Sequence, residues 1–278
     1  MANAPKTNSP AKQESGNSGN LFASLAIVIC LIIGFVVYKF VMGNPSNFID
    51  NNPENQPNPG NYLGMVYHAG AIVPVLIGLF LMVWVFSIER FIVISKASGT
   101  GNVGNFVRKV QSLLKTGGNG IDTAIAECDK QKGSVANVIK AGLLKYKDVE
   151  ANPGLDAEKS ALAIQKEIEE TTALEMPMLE KNLNVLATLV SIGTLTGLLG
   201  TVTGMIKAFS ALATGGAPDS AKLANGISEA LINTATGIST STFAIIMYNI
   251  LTAKIDKLTY SIDEAGFSIV QTYAANHK

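Results

Sequence analysis

Apolar residues run in four long blocks, and the blocks are marked most sharply by where charge is missing. No Asp, Glu, Lys or Arg occurs between Glu14 and Lys39, Glu54 and Glu89, Lys181 and Lys207, or Glu229 and Lys254. An α-helix needs about 20 residues to cross a hydrocarbon core about 30 Å thick, and every gap is longer than that. The pattern predicts transmembrane helices over residues 21–43, 62–95, 182–209 and 227–253. The first reads LFASLAIVICLIIGFVVYKFV. It follows a polar Ser/Asn/Gln-rich stretch and no small-residue cleavage site comes after it, so it is expected to be retained rather than removed as a secretory signal. The second contains Pro74 and Gly78, a proline being tolerated within a membrane helix where neighbours satisfy the freed carbonyl. Glu89 and Arg90 just beyond Trp84 read most simply as side chains reaching up to the interface.

The segments between the blocks set the orientation. Residues 44–61 hold Asp50 and Glu54 but no Lys or Arg, whereas the stretch from Lys96 to Lys181 holds 12 Lys and Arg. Basic loops stay inside, so 44–61 and the hairpin 210–226 are expected in the periplasm. Residues 96–181, a disordered tail over 1–20 and a second tail over 254–278 then lie in the cytoplasm. The 96–181 segment reads as helical: Asn105 to Leu114, Ile121 to Lys130, Val135 to Tyr146, and Asp156 to Asn184. The last of these should run directly into the third membrane helix, with a kink near Pro177. The fold class expected is therefore all-α: a polytopic membrane protein with long helices extending into a cytoplasmic helical domain.

Composition narrows the function. Charged residues make up 15% of the chain, against about a quarter in soluble domains. The 21 Lys and Arg balance 21 Asp and Glu, which argues against nucleic acid as a partner. Two histidines and two widely separated cysteines, Cys30 and Cys128, supply neither a metal centre nor a disulfide framework. The cluster from Gly99 to Gly104 is not followed by Lys-Ser/Thr, so it is no phosphate loop. No catalytic residue, cofactor or metal is expected, and the chain does not read as an enzyme.

The last two membrane helices are unlike the first two. The third carries Gly193, Gly197, Gly200 and Gly204, the small-x-x-x-small spacing that lets helices approach closely in lipid. Ser191, Thr194, Gly197, Thr201, Gly204 and Ala208 form one small and polar stripe on it. The fourth holds Ser228, Glu229, Asn233, Thr234, Thr236, Ser239, Thr240, Ser241 and Thr242. Glu229, Asn233, Thr236 and Thr240 share one side, while Thr234 and Ser241 share another; one side would contact a neighbouring helix and the other a water-filled or partner-filled space. A hairpin symmetric about Ala217 and Pro218 would bring Thr201 level with Thr234 and Lys207 opposite Glu229, near the outer mouth. Neither helix has a titratable carboxylate at the bilayer centre, so a proton path along them is incomplete without an acid from a partner.

The run GLLGTVTGMIKAF from Gly197 to Phe209, with ANGISEALINTATG from Ala224 to Gly237 and MYN at Met247 to Asn249, resembles the MotA/TolQ/ExbB proton-channel family, closest to ExbB. Upstream the likeness takes in SIERFIVI, DTAIAEC and the KAGL at Lys140 to Leu143, so it covers about Tyr62 to the end. It implies a ring-shaped homo-oligomer, a pentamer, in the bacterial inner membrane around an ExbD- or TolR-like single-span protein that supplies a membrane Asp. Proton flow would drive work on the envelope through a TonB-like protein, in an ExbB-type, TolQ-type or motility-stator system. A non-conducting scaffold is the alternative from another class. Carried over by motif, the ion pathway falls on Thr201, Glu229 and Thr234, with Thr194, Asn233, Thr236 and Thr240 as additional pore-lining candidates. The chain departs from the family where Thr194-Leu195-Thr196 and Ser241-Thr242-Phe243 replace stretches that often hold a proline. The added hydroxyls could also coordinate Na⁺. The helix over 21–43 is an addition to the family's three-helix plan.

Overall fold

The computed structural model describes residues 16–116, 119–151, 156–213 and 219–277. The expected tail over 1–20 thus lies largely outside the described residues, as does the hairpin tip at Ala217 and Pro218. Among the described residues there is no β-strand, only an isolated bridge between Phe48 and Pro57. The helices are α1 (Gly16–Val36), α2 (Tyr62–His68), α3 (Val73–Ala97), α4 (Val103–Leu114), α5 (Gly120–Gln131), α6 (Gly133–Ala151), α7 (Ala157–Glu180), α8 (Leu183–Ala213) and α9 (Ser220–Asn276). Four stretches of the described residues are long and apolar enough to span a bilayer: Ala23–Met42, Val73–Ala97, one within Ala157–Ala213 and one within Ser220–Asn276. The protein is an all-α, multi-pass membrane protein, as the charge gaps predict.

The chain forms two compact units, Met1–Met82 with Leu195–Ile238, and Val83–Thr194 with Ser239–Lys278. In the first, α1 lies against the start of α3 at a glycine contact: a methyl group on Gly34 would come within 2.6 Å of the Pro74 carbonyl oxygen and 2.7 Å of Gly78 N. Such contact leaves dispersion forces at their most favourable between helices in lipid. The rest of α1 is largely exposed, including Leu21, Leu25, Ile32 and Phe35. Beyond α1 the chain continues as a π-helix, Val37–Met42. Its end carbonyls at Val41 and Met42 both accept from Asn47 Nδ2 at 2.9 Å. The polar loop folds back as a clasp: Asn61 donates to Asn47 and caps α2, while buried Phe48 packs edge-on to Tyr67 and Tyr38 stacks on that same ring.

The second predicted membrane helix is two helices. The chain breaks between His68 and Val73, where Gly70 has φ +90°. Pro74 therefore sits in the first turn of α3 instead of within a helix. There its missing N–H leaves no hydrogen bond unmade.

In the second unit α4 packs on α5, α5 on α6 and α6 on α7. Gly142 of α6 is a point of close approach, since a methyl there would stand 2.6 Å from Ile168 Cγ1 and 3.6 Å from Ile269 Cδ1. Long α9 thus runs on past the membrane block to supply Ile262, Ala265, Ile269 and Tyr273 to this core. The tail expected from 254 onward is therefore a helix with a buried face. Its Tyr273 ring meets Tyr146 edge-on at 4.9 Å. Burial, with Asp129 alongside, pushes the Cys128 thiol up to about 12.

Two further expectations are corrected here. The α7–α8 junction is a break at Lys181 and Asn182, with Asn182 at φ +64°, and not a kink at Pro177 within one continuous helix. The carbonyl of Met178, left over at the end of α7, accepts from Arg90 Nη1 at 3.1 Å. Arg90 is only 3% exposed and is ion-paired to Glu89, whose other oxygen accepts from Asn182 Nδ2. The two residues hold a helix end instead of reaching to the interface. An unsatisfied helix terminus in an apolar setting requires such a donor.

Candidate functional site

The site is built on the antiparallel pairing of α8 and α9 in the first unit. Three α8 glycines set the approach. A methyl on Gly197 would stand 3.0 Å from Gly237 Cα, one on Gly200 would stand 2.7 Å from Asn233 Cγ, and one on Gly204 would stand 2.7 Å from Ala230 N. From the other side, Gly226 meets the backbone of Ala208. Each of the three α8 glycines thus stands at a close approach of the two helices. Gly193, also predicted for packing, is buried in the second unit. The pairing of Gly200 with Asn233 leaves Thr201 and Thr234 about two residues, roughly 3 Å, apart in level along the antiparallel pair. At the far end Lys207 Nζ donates to Glu229 Oε1 at 2.6 Å. Beyond it Asp219 begins α9 by accepting from Lys222 N, and that hydrogen bond holds its carboxyl below the usual range.

Most of the candidate hydroxyls are engaged with backbone. Thr201 donates to Leu198 O at 2.6 Å and Thr236 to Ile232 O at 2.8 Å, each within its own helix. Thr234 donates to Ala230 O and reaches across the pair to Gly197 O at 3.4 Å. Bonded this way, a hydroxyl keeps its lone pairs for a cation, a water or a neighbouring helix. In the second unit Thr194 donates to Ser241 Oγ at 2.8 Å, and Thr240 is fully buried. The structure therefore groups Thr201, Thr234, Asn233, Thr236 and Glu229 in one unit. Thr194 and Thr240 belong to the other.

Glu229 is 7% exposed, while its partner Lys207 keeps 58% of its side chain accessible. The pair forms one edge of a cleft of about 430 Å³, with Ser210, Lys222 and Asn225. Asn233 is 0% exposed; its Nδ2 donates to the carbonyl of Ala69 at 2.9 Å, and its Oδ1 has no partner. A buried amide oxygen left unmatched costs about 1–3 kcal/mol. Sequence reasoning missed the α2–α3 break as part of this site. The signal was present in Gly70 followed four residues later by Pro74, a breaker pair inside an apolar run. No group of three His, Cys, Asp or Glu side chains among the described residues could hold a metal ion.

Residues 130–264, which include the paired glycine-rich and hydroxyl-rich segments of α8 and α9 and their Lys–Glu pair, match the MotA/TolQ/ExbB proton channel family. The match covers just under half of the chain, and over it the chain is similar to this family. A Tol-Pal system protein TolQ from Pseudomonas aeruginosa is 32% identical over 147 residues, 50% of this chain and 63% of the relative. A putative biopolymer transport protein, ExbB-like 1, from Synechocystis sp. is 39% identical over 87 residues, 30% of this chain and 34% of the relative. The TolQ of Haemophilus influenzae is 37% identical over 84 residues, 30% and 37% of the two chains. In each case the match spans less than two thirds of the relative. Family relatives carry both the TolQ and the ExbB name.

Proposed function

We propose that the chain is an ExbB-like channel and motor subunit of the bacterial inner membrane. With an ExbD- or TolR-like single-span partner, it uses the proton motive force to energise TonB-dependent transport across the outer membrane. It works as an ion-conducting element and not as an enzyme, in a homo-oligomeric ring, a pentamer, with both termini in the cytoplasm. The observation that carries the reading is the α8–α9 pair itself: hydroxyls and an amide along its length, an ion pair at one end, and no Asp, Glu, Lys or Arg between Leu183 and Ile206 or between Ala230 and Ala253. Such a surface can solvate and pass a cation but cannot relay protons unaided, so the carboxylate comes from the partner. A TolQ-type pathway is the second reading, supported by the 147-residue overlap with a TolQ.

Copurification with a single-span, acid-bearing partner and proton flux into liposomes with and without it test the channel. Sodium replacement in the same assay tests the ion. Loss of TonB-dependent uptake on deletion supports the ExbB reading, and loss of outer-membrane integrity alone supports the TolQ one. Glu229→Gln, which keeps shape and removes charge, is expected to assemble normally and lose most flux, while Lys207→Gln is mild. Equal mildness of both would move the pathway to Thr201, Thr234 and the partner's acid.

A further inference from the structure

The break between α2 and α3 lies directly against the Glu229–Lys207 ion pair. Gly70 has φ +90°, and a methyl group on it would overlap Glu229 Oε1, standing 2.8 Å from Cδ and 3.3 Å from Lys207 Nζ. No side chain but hydrogen fits there, so the Gly70 backbone forms a wall behind the carboxylate. A broken helix in an apolar setting leaves carbonyls without partners. Within the break, Gly70 O accepts from Val73 N, and Ala69 O is taken by Asn233 Nδ2. Because Asn233 comes from α9 one turn beyond Glu229, the same helix that bears the carboxylate also holds the wall in place. Gly200 makes room for this amide, since a methyl there would stand 2.9 Å from Asn233 Nδ2. The Ala69 carbonyl fixes which end of the amide faces it, because only the NH₂ can donate. A residue that merely filled the space would avoid the unmatched buried oxygen that Asn233 carries.

We infer that Asn233 and Gly70 are positioning residues for Glu229: Asn233 pins the α2–α3 break by its hydrogen bond to Ala69, and the pinned Gly70 backbone holds the Glu229 carboxylate on Lys207. The consequence for ion flow rests on the channel reading above, whereas the placement does not.

The test uses the full chain in detergent with dicyclohexylcarbodiimide as probe. The reagent adds to the Glu229 carboxyl to give an O-acylisourea. If Lys207 Nζ is held at that carbon it displaces dicyclohexylurea and forms an amide; if not, the adduct rearranges to a stable N-acylurea. Peptide mass spectrometry gives the ratio of the two products at Glu229. The wild type should yield the amide as its main product. Asn233→Leu, which keeps the volume and removes the donor, should shift the ratio towards N-acylurea by about tenfold, as loss of one buried hydrogen bond would. Gly70→Ala should do the same by displacing the carboxylate directly, and it serves if Asn233→Leu fails to assemble. A wild-type ratio in an assembled Asn233→Leu or Gly70→Ala protein, or no amide in the wild type, overturns the inference. Absence of ion flux with the product ratios as expected overturns the channel reading alone.

Discussion

Gly204→Leu should pull α8 and α9 apart, and the structure sets the scale. A single methyl on Gly204 would stand 2.7 Å from Ala230 N, 2.8 Å from Gly226 O and 3.0 Å from Ala230 Cα. Carbon contacts are favourable at about 3.5–4.0 Å, so even alanine requires the helices to part by about 1 Å. All three obstacles are backbone atoms, which no rotamer change can move. Overpacking of this kind costs about 1–3 kcal/mol, offset for alanine by about 1 kcal/mol of helix propensity. Leucine adds three more carbons in the same direction. The separation would also open the Gly226–Ala208 contact one turn away and lengthen the Lys207–Glu229 pair, so Gly204→Leu should exceed the alanine penalty and disturb assembly. Val202, on the same helix and 51% exposed, provides the control. Val202→Leu should change stability by less than about 0.5 kcal/mol. The assay is the thermal unfolding midpoint of the purified protein in detergent together with oligomer size by native mass measurement. Equal midpoints and sizes for Gly204→Leu and Val202→Leu would refute the close-packing account.

Arg90→Leu should destabilise the protein by about 1–3 kcal/mol, because the Met178 carbonyl loses its side-chain donor and the Glu89 carboxylate its ion-pair partner; an unchanged melting midpoint would contradict the capping role. With its thiol pushed up to about 12, Cys128 should carry about a thousandfold less thiolate than an ordinary cysteine at pH 8. It should resist iodoacetamide until the protein is unfolded, and rapid alkylation of the native chain would refute its burial in the α5–α6 core. A cysteine at Ser46 should react with an impermeant maleimide in intact spheroplasts and one at Ser98 should not; the reverse pattern would invert the proposed topology.

The membrane-spanning blocks were legible in the sequence because charge cannot be left in hydrocarbon, so its absence over 20 or more residues marks a span without reference to any neighbour. The same local logic found the glycines of α8 and the hydroxyls of α9. The opposition of Lys207 and Glu229 followed from a symmetric hairpin, because an antiparallel pair fixes depth by counting. What the sequence could not decide was which polar groups meet across helices. Arg90 reads as an interfacial side chain until the end of α7, 88 positions away, presents it with the Met178 carbonyl. Asn233 reads as one more polar residue on a polar helix until the broken α2–α3 backbone, 164 positions away, supplies the Ala69 oxygen. In both cases a helix end in an apolar medium has an unsatisfied carbonyl, and the donor that answers it is selected by tertiary packing, not by spacing along the chain.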